Sequence, residues 1–362
     1  MLLVAGCAGS AGTATSPSGG SAPTTARATA VNSPPASPAA TPSPLPLPAI
    51  DLSAPGVWYG PNMGSVDFAE LFSSPDGWSA ARERVDVFQF YGNAVSGDPY
   101  DIGGDNVLDT FIDVGAFGQL HDWGIGTALE QGVIKWFACG HASWAEYTNH
   151  GIDNVESNGG RVSFVAMDEP LIGGQISEGG VGCDYTIEEA AREVASFVAA
   201  VQAEHPEVEV GDVEPYPHYS VADLQRWLAA LETAGVPPSF FHLDVDIERV
   251  MVEGQNVGVD LRRLREFCDE LGVPFGVILT SNWTEADSDK GYYDSTLQWA
   301  ATVNDGMGMP THVILQSWQG PAPSGRHEVP INLPEDNPES HSHTRLILEV
   351  LEVFDTAGVA RR

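Results

Sequence analysis

From residue 56 onward, short apolar segments alternate with longer segments in which apolar residues recur at helical spacing, and polar loops separate the two kinds. The short segments are typical of buried strands, and the longer ones are typical of amphipathic helices that cover a sheet. The predicted strands cover residues 57–59, 85–91, 126–130, 162–168, 208–214, 240–245, 275–280 and 312–318. The clearest predicted helices cover residues 187–204, 221–234, 261–271 and 344–354.

The residues that flank these helices support the assignment. Thr186 and Ser220 each precede acidic residues, and a helix start favours a hydroxyl cap followed by negative charge. The sequence Gly-Val-Pro occurs at 235–237 and again at 272–274, where two predicted helices end. A glycine exit followed by proline is a common way to stop a helix.

Eight strand–helix units in about 300 residues predict a (β/α)8 TIM barrel, which we assign as a single α/β domain over residues 51–362. A doubly wound parallel sheet is the alternative. No glycine-rich nucleotide-binding loop follows any predicted strand, and this favours the barrel.

The first 50 residues have a different composition. Residues 4–7, Val-Ala-Gly-Cys, resemble a bacterial lipobox, so residues 1–7 are interpreted as the remnant of a lipoprotein signal, with Cys7 as the lipidated residue. Of the 43 residues from 8 to 50, 37 are Ala, Gly, Ser, Thr or Pro, which predicts a disordered linker. We therefore expect a lipid-anchored protein on the outer face of a bacterial membrane, or a secreted one. The alternative is a disordered tail behind a cysteine that is not lipidated.

The remaining cysteines lie in two kinds of context. Cys139 and Cys183 lie in loop-like sequence and are predicted to form a disulfide, whereas Cys268 lies on an amphipathic helix and is expected to be buried and reduced. Three free thiols are the alternative.

The chain is strongly acidic, with 50 acidic and 16 basic residues and a formal net charge of −34. Such a surface repels phosphate backbones and anionic lipid headgroups, so the composition argues against a nucleic-acid partner and against electrostatic membrane docking. The sequence shows no interface for self-association, and we expect a monomer.

In a (β/α)8 barrel the chemistry lies at the C-terminal ends of the strands. The residues at these ends are carboxylates, amides and aromatics, which suit a carbohydrate, because carboxylates act on the glycosidic bond, amides bind hydroxyls and aromatic faces stack on sugar rings. The candidate binding residues are Tyr59, Tyr91, Glu130, Asp168, Tyr216, His218, Asn282, Trp283, Gln316 and Trp318.

With Asp168-Glu169-Pro170 after the fourth strand, the barrel resembles the TIM-barrel glycoside hydrolase superfamily, in which a fourth-strand carboxylate followed by proline is a common acid/base signature. The resemblance implies that Glu169 is the general acid. In the widespread retaining subgroup a glutamate ends the seventh strand, whereas residues 281–283 here are Ser-Asn-Trp. The second carboxylate is therefore assigned to Glu214, which also precedes a proline, or to Asp246 if the face of strand six that carries it points inward.

No cofactor or metal site is predicted. The histidines lack zinc-type spacing, and no HExxH, calcium loop or serine-hydrolase elbow is present. The sequence thus favours a glycoside hydrolase acting on an oligo- or polysaccharide. A non-catalytic carbohydrate-binding lipoprotein on the same barrel is the second hypothesis. A metal-dependent hydrolase with an ion at Asp244, Asp246 or His218 is a weaker third.

Overall fold

The computed structural model describes residues 45–97, 107–178, 181–281, 286–318 and 329–360. Within them, eight parallel strands close into a barrel, each pairing with the next along the chain, and the last pairing with the first. The predicted (β/α)8 barrel is confirmed. The strands are β1 Gly56–Gly60, β2 Val87–Tyr91, β3 Gly126–Gly132, β4 Val162–Asp168, β5 Glu209–Tyr216, β6 Phe241–Val245, β7 Phe275–Leu279 and β8 His312–Gln316.

Helices surround the barrel and follow its strands. Between β4 and the next long helix, Ser177–Glu178 and Val181–Gly182 form a small antiparallel pair. The α-helices are Glu70–Ser73, Ser79–Arg82, Gly92–Val95, Val107–Asp113, Ala116–Trp123, His141–Ser157, Pro170–Gln175, Ile187–Glu204, Val221–Thr233, Ile247–Glu253, Val257–Leu271, Asp289–Met307 and His343–Ala360. Two 3₁₀ turns lie at Pro75–Trp78 and Pro338–Ser340.

The predicted helix starts form as hydrogen-bonded caps. The Thr186 hydroxyl accepts from the backbone of Glu189, whose carboxylate in turn accepts from the backbone N–H of Thr186. Ser220 and Asp223 make the same reciprocal pair. Each capping box satisfies backbone donors that a helix start leaves without partners.

The hydrophobic core forms two shells, because successive strand residues point to opposite faces of the sheet. The outer shell packs between the strands and the helices. The inner shell fills the barrel with Trp58, Val87, Ala128, Phe164, Ala166, Val213, Phe240, Ile278 and Ile314. The barrel interior is therefore a packed core and not a pore.

The N-terminal end of the barrel is closed by the segment that precedes β1. Ile50 and Leu52 pack against the inner shell, and the Leu52 carbonyl lies 2.8 Å from His312 Nε2. Pro46 O lies 3.1 Å from His121 Nε2. Residues 45–50, which the composition assigned to the linker, are thus part of the barrel domain. Cys7 and residues 8–44 lie outside the described residues.

The cysteines adopt the predicted states. Cys139 and Cys183 form a disulfide with a Cα–Cα distance of 5.3 Å, and Cys268 is free and buried. The disulfide joins the segment after β3 to the segment after β4. Within the described parts of the chain, no helix has the length and apolar character needed to cross a membrane.

Candidate active site at the barrel mouth

The alternation of the strands determines which side chains face the mouth. Ala128, Ala166 and Ile314 belong to the inner shell. The residues two positions later on the same strands are Glu130, Asp168 and Gln316, and they face the C-terminal opening of the barrel. The same spacing from His242, which contacts Trp58 inside the barrel, places Asp244 of β6 there.

Glu130 is the centre of a polar network in this layer. Its Oε2 accepts hydrogen bonds from the side-chain amides of Gln89 and Gln316. The Tyr91 hydroxyl donates to the Ser317 carbonyl at 2.9 Å and lies 3.5 Å from the Gln316 amide. Gln89 was missed by the sequence analysis, although a glutamine within an apolar strand was a signal that could have found it.

The charge state of Glu130 is set by its surroundings. Burial is the largest cause of its raised pKa, which lies at about 8, and the negative charges of Asp168 and Asp244 raise it further. The Gln316 hydrogen bond and the charge of Lys135 oppose the rise. At neutral pH Glu130 is therefore mostly protonated and can donate a hydrogen bond to a ligand.

Lys135 brings a positive charge into this acidic layer. Its ammonium lies 2.7 Å from Asp168 Oδ2, and its side chain is 19% exposed. Burial alone lowers the pKa of Lys135, but the charges of Asp168 and Glu169 outweigh it, so the pKa is raised and the lysine stays charged. Lys135 was not among the residues predicted from the sequence. The rarity of lysine in this chain was the available signal, because the only other lysine is Lys290.

The segment that carries Lys135 is held by close backbone contacts. Lys135 and Ala138 exchange backbone hydrogen bonds, and the disulfide begins at the next residue, Cys139. A Cβ at Gly173 would lie 1.9 Å from the Ile134 carbonyl oxygen, so only glycine permits this approach. The helix after β4 and the segment after β3 can therefore meet closely enough to bring Lys135 to Asp168.

Glu169 follows β4 in an unusual backbone conformation. Its φ of 53° and ψ of 50° lie in the left-handed region, which costs a non-glycine residue about 1–3 kcal/mol. Its N–H donates to the Val213 carbonyl and its carbonyl accepts from Gly173 N, each at 3.0 Å. Pro170 then begins the next helix. Such strained residues are concentrated at functional sites.

The half-buried Glu169 carboxyl has the properties of a proton donor. Burial is the main cause of its raised pKa, the negative charge of Asp168 adds to it, and Lys135 opposes it, with a result of about 7. A general acid works best when its pKa lies near the working pH.

Asp244, on β6, is a carboxyl whose pKa responds to the charge of Glu169. Burial raises its pKa well above the ordinary value, and the negative charge of Glu169 is the next largest cause, followed by those of Asp168 and Asp246. Two carboxyls that interact in this way do not ionise independently. Glu169 follows β4 and Asp244 lies on β6, so one strand separates the two around the barrel.

The structure places Glu214 on the opposite side of its strand from the mouth. Its neighbour Val213 belongs to the inner shell, and Glu214 itself is fully buried between β5 and the helix after β4. Glu214 Oε1 accepts from Leu171 N at 2.6 Å, and Oε2 has no hydrogen-bond partner among the described residues. Burial, followed by the charge of Asp212, raises the pKa of Glu214 well above its ordinary value. Glu214 therefore supports the turn that carries Glu169 and does not open on the cleft.

Asp246 is exposed at the start of a helix. Its Oδ1 accepts from Arg249 N at 2.9 Å, which makes it the N-cap of Ile247–Glu253. His218 is also exposed, and its Nδ1 lies 3.4 Å from an Arg249 guanidinium nitrogen. Burial, followed by the positive charge of Arg249, lowers the pKa of His218.

Two of the predicted stacking residues are unable to contact a ligand, and for these the prediction is wrong. Tyr59 is 0% exposed, and its hydroxyl donates to Asn332 Oδ1 at 2.8 Å. Tyr216 is 2% exposed, and its hydroxyl donates to Asp260 at 2.6 Å. Both rings belong to the outer shell, because their positions alternate with inward-facing ones on the same strands.

The remaining predicted aromatics are placed differently. Tyr91 is half-buried and lies in the network of the mouth. Trp318 is half-buried and packs against the inner shell. Asn282 and Trp283 lie outside the described residues. Among the described side chains, no group of three or more His, Cys, Asp or Glu has the arrangement of a metal site.

Solved structures with similar folds have diverse activities. A GH10 xylanase from Thermobacillus composti aligns with a TM-score of 0.48 and 12% identity, over 83% of this chain and 97% of the xylanase. An L-ribulose 3-epimerase aligns with a TM-score of 0.48 and 16% identity, over 85% and 98% of the two chains. A 7,8-dihydropteroate synthase from Vibrio fischeri aligns with a TM-score of 0.45 and 12% identity, over 85% of this chain and 94% of the synthase. At this level the similarities do not distinguish one activity from another. No protein-family model and no curated protein sequence matches this chain.

Proposed function

We propose that this protein is a glycoside hydrolase whose paired carboxyls are Glu169 and Asp244 at the barrel mouth. The observation that carries the proposal is that Glu169, directly after β4, and Asp244, on β6, lie at the same mouth, close enough for the charge of Glu169 to raise the pKa of Asp244. Hydrolysis of a glycosidic bond requires one carboxyl that donates a proton and a second that acts as nucleophile or base. Glu169 and Asp244 supply both groups when Glu169 is protonated and Asp244 is ionised.

In this mechanism Glu169 protonates the leaving oxygen, and its pKa of about 7 keeps a proton available near neutral pH. Asp244 must be ionised to attack the anomeric carbon or to activate water. Because burial and the negative charge of Glu169 raise the pKa of Asp244, a proton on Glu169 removes one cause of that rise and favours the ionised form of Asp244. Asp168, which is paired with Lys135 at 2.7 Å, places negative charge where positive charge develops on the sugar ring. Lys135 also limits the repulsion between the carboxylates.

The composition of the mouth favours a neutral glycan. Glu130, Asp168, Glu169 and Asp244 bring four carboxyl groups together against one ammonium, that of Lys135, among the described residues. This charge balance opposes the binding of uronate-rich or phosphorylated sugars. The protonated Glu130 carboxyl, which is half-buried, suits a hydroxyl group. We therefore propose a neutral oligo- or polysaccharide as the substrate.

We also propose that the protein is a monomer on the outer face of a bacterial membrane, anchored by a lipid on Cys7. The linker composition of residues 8–44 supports a tether between an anchor and the barrel. Metabolic labelling with a fatty-acid probe tests this proposal. Labelling that persists in C7S contradicts it.

The catalytic proposal is tested by turnover of a panel of neutral polysaccharides and aryl glycosides by the wild type, E169Q and D244N. Removing a general acid or its partner is expected to lower kcat by about 10²–10⁴-fold. The control is E232Q, at an exposed position of the helix Val221–Thr233. Near-normal turnover of a polysaccharide by E169Q contradicts the assignment of Glu169, because a sugar leaving group needs the proton. Binding of a glycan without turnover by the wild type supports the carbohydrate-binding alternative.

A further inference from the structure

The segment after β3 exposes a group of aromatic rings that the proposed mechanism does not use. Phe137 is 60% exposed, which is unusual for a ring of this size. Its centroid lies 5.4 Å from that of Trp136 and 6.1 Å from that of Trp144. Trp144 in turn lies 6.5 Å from Tyr147. We call Trp136, Phe137, Trp144 and Tyr147 the aromatic ledge.

The aromatic ledge is held rigidly although its outermost ring faces solvent. Lys135 N donates to Ala138 O and Ala138 N donates to Lys135 O, so the chain forms a tight turn around Trp136 and Phe137. The Trp144 indole N–H donates to Ala138 O at 2.9 Å. The Cys139–Cys183 disulfide fixes the end of the turn. A ring presented in this way loses little conformational freedom when a ligand binds to it.

The aromatic ledge is continuous with the candidate active site. Gly132, the last residue of β3, pairs in register with Asp168. A Cβ at Gly132 would lie 3.2 Å from Lys135 Cε and 3.3 Å from the Trp144 ring, so the lysine stem and the indole pack on the same spot. The Trp144 ring of the aromatic ledge therefore lies beside the side chain of Lys135, which pairs with Asp168.

We propose that the aromatic ledge is a second saccharide-binding subsite, which holds a sugar ring of the substrate beyond the bond that is cleaved. This inference rests on the proposed glycoside hydrolase function and adds to it that the substrate is a chain rather than a single glycoside. The apolar face of a pyranose packs on an aromatic ring while its equatorial hydroxyls remain in water. Phe137 is the ring with the most surface to offer such a sugar.

The test compares F137A with the wild type on a soluble polysaccharide and on the aryl monoglycoside of the same sugar. The inference predicts a loss in kcat/KM of about tenfold on the polysaccharide, as expected for one aromatic contact, and little change on the aryl glycoside. The matched control is L45A. Leu45 is also exposed, at 43%, but it lies beside Pro46 near the other end of the barrel.

A second measurement is independent of turnover. Native gels that contain xylan, mixed-linkage β-glucan, galactomannan or starch report binding by retardation of E169Q and of E169Q/F137A. Weaker retardation of the double variant in the gel that retards E169Q supports the subsite.

Two results overturn the inference. The first is equal kcat/KM of F137A and wild type on the polysaccharide, and the second is an equal loss on both substrates, which would indicate a general disturbance of the site. If the wild type cleaves nothing but is retarded in a gel, the hydrolase proposal fails, and the effect of F137A on retardation still decides the subsite. If the wild type is neither active nor retarded, both proposals fail.

Discussion

Gly173 provides the sharpest test of how the site is assembled, and G173A is expected to separate Lys135 from Asp168. The added Cβ would lie 1.9 Å from the Ile134 carbonyl oxygen and 3.3 Å from Lys135 Cα. Carbon contacts are favourable at about 3.5 Å, so the two backbone segments must separate by about 1.5 Å. Because both partners are backbone, no side-chain rotation relieves the overlap.

The cost of G173A follows from this separation. Overpacking a buried site typically lowers the free energy of unfolding by about 1–3 kcal/mol. Alanine in place of glycine within a helix raises it by about 1 kcal/mol. The net loss is then about 0–2 kcal/mol, which lowers Tm by at most about 8 °C. A displacement of this size at a catalytic group is expected to lower kcat/KM by about 10²-fold.

The matched control is G174A, one residue along the same buried helix. Its Cβ would meet the Ala190 methyl at 3.2 Å and Tyr185 at 3.5 Å, and a shift of a few tenths of an ångström between the two helices relieves this contact. Thermal melts followed by circular dichroism and kcat/KM on the substrate found for the wild type give the comparison. If G173A matches G174A in both Tm and kcat/KM, the close approach at Gly173 does not position Lys135, and the reasoning is refuted.

Two further predictions concern the carboxyls around this turn. The pKa of Glu169 rises from its ordinary 4.5 to about 7 on folding. The folded state is therefore destabilised progressively as the pH rises from 4.5 to about 7, and the full loss of stability is reached above pH 7. E169Q is therefore expected to gain Tm relative to wild type as pH rises from 4 to 8, and wild-type kcat should fall above about pH 7; a Tm difference that is flat across this range contradicts the assignment. E214A leaves the Leu171 N–H without its acceptor, and it is expected to lower the free energy of unfolding in urea by about 1–3 kcal/mol and to lower kcat. E214Q retains an acceptor oxygen, so it is expected to keep most of the wild-type stability and most of the wild-type kcat. Equal effects of E214A and E214Q would show that this hydrogen bond does not hold the turn.

Local signals in the sequence predicted the scaffold well. The alternation of apolar strands and amphipathic helices gave the eight strands, and hydroxyl–acid pairs gave the helix starts at Thr186 and Ser220. These features depend on residues close together in the chain, where the side-chain period and the orphan backbone donors act directly. The Cys139–Cys183 disulfide was also predictable from the sequence, because both cysteines lie in loop-like segments.

The arrangement of the mouth depended on the tertiary structure. Whether Tyr59, Tyr216 and Glu214 face the cleft or the helices depends on the parity of each strand, and a shift of one residue exchanges the two faces. A short strand such as Val57–Tyr59 does not reveal this parity. Only barrel closure showed that Asp244 faces the mouth, whereas Asp246 caps a helix at the surface.

The sequence by itself determined that this chain forms a (β/α)8 barrel with carboxylates at the ends of its strands. Tertiary structure decided which of these carboxylates meet, because the close approach at Gly173 and the reach of Lys135 join segments that are far apart in the chain. The raised pKa values of Glu130 and Glu169 likewise arise mainly from burial, and the charges of Asp168 and Asp244 on two other strands raise that of Glu130 further. Periodicity is a local property of the chain, whereas burial and charge coupling exist only once the barrel has closed.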